Sequence, residues 1–470
     1  MFFGKCRMTL CMSVILFLCF SVIAKEQPAL SFSRAIKLAQ QNDPWLTGNI
    51  HQQRATESMS VATNTLPDPK ITISLANLPT NGYDLAQEGM TQVKVGIAQV
   101  FPRGDSLSIK RQQLSIQSET FPFQRQEREA KIALTVGSLW LDAYNIQKSI
   151  SLVEKNKTLF QQLVQITESA YSSVLANTQQ QDIISAQIEL TRIEERLVQL
   201  QQERSNIEGK LLQWIAEDSL NETSQSNNLF NITLSQTLPE IALTIPKSVL
   251  LQNNDQAENL VQYFSNHPAI IAIDKKVNAT KKGIELAQQK YKPEWGISAS
   301  YGYRQDDPMG NSRADLFSLG VTFDLPIFTE NKQDKEVQSA IYLTEAIKTE
   351  KTLLIRQLVG AFSSAKGRLH HIKNRQELYQ AKLLPQVIDQ AKVSLNAYSN
   401  NDGGFTAVIR AHIAVLNAEI DHLMLTVEKQ KLHLELNYLF AGKNNKNTMN
   451  FLTYSNSKKM QKFGERPNGK

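Results

Sequence analysis

The seven histidines are the side chains best suited to hold a metal or pass a proton, and their spacing supports neither task. His370 and His371 are neighbours on a helical pattern, so they point about 100° apart and do not clasp one ion from one face. His422 falls on an apolar helical seam, where it reads as a packing or interhelix hydrogen-bonding residue. His412 and His433 read as surface residues. All three cysteines, Cys6, Cys11 and Cys19, lie near the start of the chain, inside what reads as a removable leader. That leaves no disulfide, no thiolate metal site and no cysteine nucleophile. No HExxH motif, glycine-rich phosphate loop or nucleophile elbow occurs. No catalytic residue, metal ligand or cofactor is therefore expected, and the chain does not read as an enzyme. Two acids remain, Asp389 and Asp402. In several copies they would form a ring favouring cations at a pore mouth; as isolated groups they would be solvated surface charge.

Those acids sit by helix-hairpin turns, and the turns are the other functional candidates. Each opens with Ala-Tyr, runs through a polar stretch and starts a new helix. At the first tip the expected contact residues are Val174, Leu175, Ala176, Asn177 and Thr178. At the second they are Asn400, Asn401, Gly403, Gly404 and Phe405. A plain αα-hairpin turn gives the same pattern.

The helices leading into these tips are too long for a globule. A helical pattern runs from Ser106 to Leu175 and another from Glu330 to Ala397. At about 1.5 Å per residue, each is on the order of 100 Å long. Pro122 and Pro385 are expected to kink them. Shorter partners follow, Thr178 to Glu217 and Phe405 to Phe440, with apolar residues at heptad spacing. Ile183, Leu190, Leu197 and Leu211 share one position, and Ala186, Ile193, Leu200 and Ile207 the next. Val408, Val415, His422 and Leu436, with Ala411, Ala418, Leu425 and Leu432, repeat this in the second half. A soluble coiled-coil scaffold would show the same helices.

The chain also repeats itself. Asn42 to Pro102 lies over Asn266 to Pro326 without a gap, matching Pro44 to Pro268, Pro69 to Pro293, Gly96 to Gly320 and Pro102 to Pro326. Each half reads helix, strand, long loop, strand, long helix. The strand segments alternate with period two: Ile71 to Leu75, Val93 to Ala98, Trp295 to Tyr303 and Phe317 to Phe323. Apolar or aromatic residues occupy one face and small or polar residues the other, as in an outer-membrane barrel or a half-buried soluble sheet. Four strands do not close a barrel, because about eight are needed to enclose a filled interior. An open edge in lipid leaves backbone groups unsatisfied. A membrane version must therefore be an oligomer, a dimer or a trimer.

The ends and the charge set outer limits. Lys5 and Arg7 precede the apolar run Thr9 to Ile23, and Val22-Ile23-Ala24 suits cleavage, so residues 1–24 are expected to be a signal peptide. No later apolar run reaches the length of a membrane helix. The net charge of +6, of which Lys5 and Arg7 supply two, is too mild to suggest nucleic acid. The expected organisation is a first repeat over 25–220, a linker at the waist over 221–253, a second repeat over 254–442 and a polar basic tail over 443–470.

This layout resembles the TolC-like outer-membrane efflux family over almost all of the mature chain. The resemblance implies a mainly α protein with a small transmembrane β part, a trimer whose chains each give four strands to a barrel, and long coiled hairpins forming a periplasmic tunnel. Leu66-Pro67-Asp68-Pro69-Lys70, Asn77-Leu78-Pro79, Met90-Thr91-Gln92 and Phe101-Pro102-Arg103-Gly104 are similar to the heavy-metal branch, as is Glu435-Leu436-Asn437-Tyr438-Leu439. That branch implies export of ions such as copper, silver, cobalt, zinc or cadmium. The implied partners are two further copies of the chain, a periplasmic adaptor of the membrane-fusion type, an inner-membrane resistance-nodulation-division pump and outer-membrane lipid. Export of drugs or a polypeptide by the same duct, and a periplasmic scaffold, are the competing expectations. The tips depart from the family pattern: Ala407 stands where an Asp is common, and Arg410 fills an often acidic position.

Overall fold

The computed structural model of the protein describes residues 29–172, 180–216, 233–245, 249–250, 257–400 and 402–442. The expected signal peptide, the first tip at 174–178, Asn401, much of the 221–253 linker and the tail lie outside the described residues.

The fold is mostly helical with one four-stranded antiparallel sheet. Helices α1 (Phe32–Gln41) and α2 (Pro44–Ala62) come first. Ser31 caps α1, and Asp43 caps α2 ahead of its N1 proline. Strands β1 (Lys70–Ala76) and β2 (Gln92–Phe101) form a hairpin, and α3 (Ser106–Ser118) and α4 (Thr120–Tyr171) follow. Helix α5 (Gln180–Ile215) runs back along α4. The second half gives α6 (Ala257–Phe264), α7 (Pro268–Gln288), β3 (Trp295–Tyr303) and β4 (Leu316–Phe323). It ends with α8 (Gln333–Leu378), α9 (Leu384–Ser399) and α10 (Phe405–Leu439).

Each proline lies at an irregularity of its long helix, where kinks arise. Near Pro122 the helix is interrupted by one residue, Glu119, whose backbone stays in the right-handed helical region: α3 ends at Ser118, and Pro122 sits in the first turn of α4, where no donor is needed. Near Pro385 the chain runs through a π-helical turn, Tyr379–Leu383, before α9 begins. The Leu384 N–H bonds the Tyr379 carbonyl, so one extra residue is taken into the helix just ahead of the proline.

Burial follows the heptads. Ala186, Ile193, Leu197 and Leu211 are buried on α5, and Val408, Ala411, Ala418, Leu425, Leu432 and Leu436 on α10. Three apolar clusters hold the helices together. One surrounds Trp140, which stacks on Tyr144, meets Phe32 edge-on and donates to the Leu30 carbonyl at 2.9 Å. A second gathers Phe264, Phe362 and Phe440. The third, toward the tips, is built around Phe160 and Phe405. The described part of the linker is strapped along α10: Gln430 accepts from Ile241 N–H, and Asn437 bridges Thr244 N–H and the Ala242 carbonyl.

Two histidines correct the sequence expectation of a surface position. The His433 ring donates from Nδ1 to the Ile241 carbonyl at 2.6 Å under this strap. Burial pushes both His433 and His412 below the usual histidine range.

Candidate functional site

Two places carry the residues singled out in the sequence, the sheet and the second hairpin tip. The sheet runs β1-β2-β3-β4, every pair antiparallel. The junction between the two halves is the β2–β3 ladder, from Val93 opposite Tyr303 to Phe101 opposite Trp295. Both long loops leave at one end, and all the helices attach at the other.

Register sorts the side chains onto two faces. One face carries Ile71, Ile73 and Leu75, then Val93, Val95, Ile97 and Phe101, then Trp295, Ile297, Tyr301 and Tyr303, then Phe317, Leu319, Val321 and Phe323. Gln99 interrupts it near the helical end, where its amide donates to the Pro67 carbonyl. Most of this face is open: Ile73 is 74% exposed, Phe317 72% and Leu319 70%. The other face carries Thr72, Ser74, Lys94, Gly96, Ser298, Ser300, Gly302, Ser318, Gly320 and Thr322. An apolar patch this large and continuous marks a surface that lipid or another protein surface covers. Its alternation is that of a barrel wall with lipid outside and water inside. The outer strands, β1 and β4, each pair on one side only among the described residues.

Four of the sequence motifs fall at the two ends of this sheet, where they have structural work, and Glu435–Leu439 lies on α10 under the linker strap. In Phe101-Pro102-Arg103-Gly104 the chain leaves β2 with Gly104 at φ +45°, a left-handed turn that favours glycine. Arg103 crosses to the second half, donating to the Lys290 and Lys292 carbonyls and pairing with Asp324. Asn77 and Thr91 close the first long loop: Asn77 Nδ2 donates to the Met90 carbonyl, and Thr91 Oγ1 to the Asn77 carbonyl. Arg304 and Arg313 then tie the second loop to the first, donating to the carbonyls of Gly89, Ala86 and Glu88. Sequence reasoning missed this staple, because nothing local marks an arginine that bonds carbonyls far away in the chain.

At the second tip Asn400 caps α9, its N–H bonding the Asn396 carbonyl. Asp402 N–H bonds the Ala397 carbonyl at 2.9 Å. A Cβ on Gly403 would lie 3.0 Å from Ala397 Cβ and 3.2 Å from Tyr398 N, a tight contact that favours glycine in the turn. Gly404 has open space around it and is the N-cap of α10. Phe405, expected among the exposed contacts, is 1% exposed and packs against Tyr398 at 5.4 Å between ring centroids. Its role is to fasten the hairpin.

Asp389 lies on α9, about 15 Å along the helix axis from the turn. It is exposed and 3.7 Å from Lys392, an i,i+3 pair. Asp402 is exposed in the turn itself. The chain does not bring the two acids together at one level. Among the described residues no cluster of His, Asp or Glu is arranged to hold a metal ion, and no helix is long and apolar enough to cross a membrane.

No protein-family model matches this sequence, and no curated protein matches it. Solved structures do match its fold. The outer-membrane protein VceC of Vibrio cholerae aligns with TM-score 0.67 at 12% identity, over 87% of this chain and 96% of that one. The CmeC outer membrane channel of Campylobacter jejuni gives 0.68 at 12% identity, over 87% and 85%. CusC, described with transmembrane channel formation, gives 0.67 at 12% identity, over 88% and 93%. The chain shares the fold of these outer-membrane channels.

Proposed function

We propose that this protein is the outer-membrane exit duct of a tripartite efflux system. The observation that carries the reading is the sheet: one exposed face that is almost all apolar, one small and polar face, and two edges open for pairing. Three chains would close it into a barrel by pairing β4 of one with β1 of the next. The long hairpins would continue the bore through the periplasm. Exposed apolar side chains along the helices, among them Tyr342, Leu343, Leu353 and Val393, suit contacts between chains.

In this reading the protein does no covalent chemistry. Energy comes from an inner-membrane resistance-nodulation-division pump, and a periplasmic adaptor contacts the tips. Asn400, Asn401, Gly403 and Gly404, with Val174 to Thr178, form the adaptor surface, and Asp389 and Asp402 line the closing end. The cargo is a heavy-metal ion, a reading that rests on the Pro-Asp-Pro-Lys, Asn-Leu-Pro and Phe-Pro-Arg-Gly motifs. A deletion strain grown across copper, silver, zinc, cobalt and cadmium, with a detergent and an antibiotic alongside, tests the cargo. Sensitivity to one or two metals alone is the expected result. Sensitivity to the organic compounds alone would move the duct to drug efflux, and release of the protein by salt washing would sink the duct reading in favour of a scaffold.

A further inference from the structure

The four strands contain two charged residues, Lys70 and Lys94, and no acid. Both lysines lie on the small, polar face. Lys94 stands in register between Ser74 and Gly302. Lys70 opens β1 opposite Ala98, at the helical end of the sheet. Lys94 makes no ion pair among the described residues, and its neighbours on that face, Thr72, Ser74, Ala76, Gln92, Gly96 and Gly302, are uncharged. The rims differ, because they carry both signs: Arg103 pairs with Asp324 and Lys292 with Asp105 at the helical end. At the loop end Asp315 accepts from Arg304 N–H. Between the rims the charge is all positive.

We propose that Lys94, repeated around the barrel, makes this part of the duct anion-favouring. The proposal rests on the duct reading above and gives its cargo a chemical form. A fixed positive ring on a low-dielectric wall attracts anions and raises the energy of a bare cation. A divalent metal ion would meet this penalty twice over, so it leaves bound to anionic ligands, as a complex with net charge at or below zero. An organic anion passes without such help. The uncharged residues around Lys94 leave its ammonium facing water, where its field acts on the passing solute.

The test places one thiol on the same face with Ser300→Cys, two residues from Gly302 along β3. Cys6, Cys11 and Cys19 are the only native thiols, and the parent chain without the substitution controls for them. Intact cells are treated from outside with an anionic sulfonatoethyl and a cationic trimethylammonium-ethyl methanethiosulfonate. The quantity read is the ratio of their rates, normalised to a free thiol. The anionic reagent is expected to react faster in the Lys94 background. Lys94→Gln is expected to lower the ratio by about fivefold or more, and Lys94→Glu to invert it. Lys94→Arg keeps the ratio, and added salt compresses the differences. A ratio unchanged by Lys94→Gln overturns the proposal and leaves the duct standing. If the thiol introduced by Ser300→Cys reacts with neither reagent, the face is not lined by water, and the duct reading falls with the proposal.

Discussion

Two buried polar residues make opposite demands on their surroundings. Asp43 caps α2 and is 8% exposed. Arg128 holds it with two bonds, Nε to Oδ2 at 2.7 Å and Nη2 to Oδ1 at 3.2 Å. The guanidinium also lies over Trp45 and Trp214, at 5.6 and 5.2 Å from the ring centroids. Arg128→Met keeps the aliphatic packing and strands the carboxylate. The expected loss is about 3 kcal/mol, read from the thermal or denaturant midpoint in detergent; a loss below ~1 kcal/mol would mean that the pair does little. His267 is buried neutral. It caps α7, accepts from Ala269 N–H and meets Tyr438 edge-on. Burial lowers its pKa from 6.5 to about 4, with a partial offset from the Tyr438 backbone. The unfolded chain therefore takes up this proton before the folded chain does. The stability is present above pH 6.5 and is lost as pH falls toward about 4, a change on the order of 3 kcal/mol. His267→Asn keeps a capping side chain and should flatten the midpoint-against-pH curve across that window. Neither residue was legible beforehand, since burial of a cap depends on helices distant in sequence.

At the scale of elements, the sheet makes the sharpest prediction. Leu319 and Ser318 are neighbours in β4 on opposite faces. Leu319→Lys puts a charge on the apolar face and should cost about 2–4 kcal/mol if that face meets lipid near mid-depth. Ser318→Lys, on the polar face, should be tolerated. Comparing the yield and heat resistance of the assembled protein reads the difference, and equal yields would deny the assignment of faces. The strands were plain in the sequence, because period-two alternation in Trp295–Tyr303 survives folding unchanged. The heptads were equally plain. The helix breaks were less so. Pro122 and Pro385 marked the right neighbourhoods, but whether the chain stops or takes in an extra residue depends on what packs there. The candidate tip was half legible: the Gly403-Gly404 turn could be read from composition, whereas Phe405 is buried in a cluster that includes Phe160 of α4, which a one-dimensional pattern does not bring near.

For the whole molecule, the duct reading predicts that mass measurement in detergent gives three chains, with a heat-modifiable band on gels. A monomer would leave the apolar face and both open edges without an explanation. The order helix, strand, loop, strand, long helix was legible from the residue pattern in each half. The β2–β3 ladder was not foreseen, because nothing in either half states which strand its partner half will meet. That ladder also fixes an order of events in time. The first hairpin is available early in synthesis, but its inner edge stays bare until a strand from the far half of the chain arrives. Closing so long a loop is slow, and the contact contributes nothing until it is made. A chain stopped after residue 253 should accumulate as protease-sensitive material in the periplasm, never reaching the membrane. On the duct reading, insertion waits for the second half of the chain, and the interval between export and insertion is when the protein is most exposed to degradation.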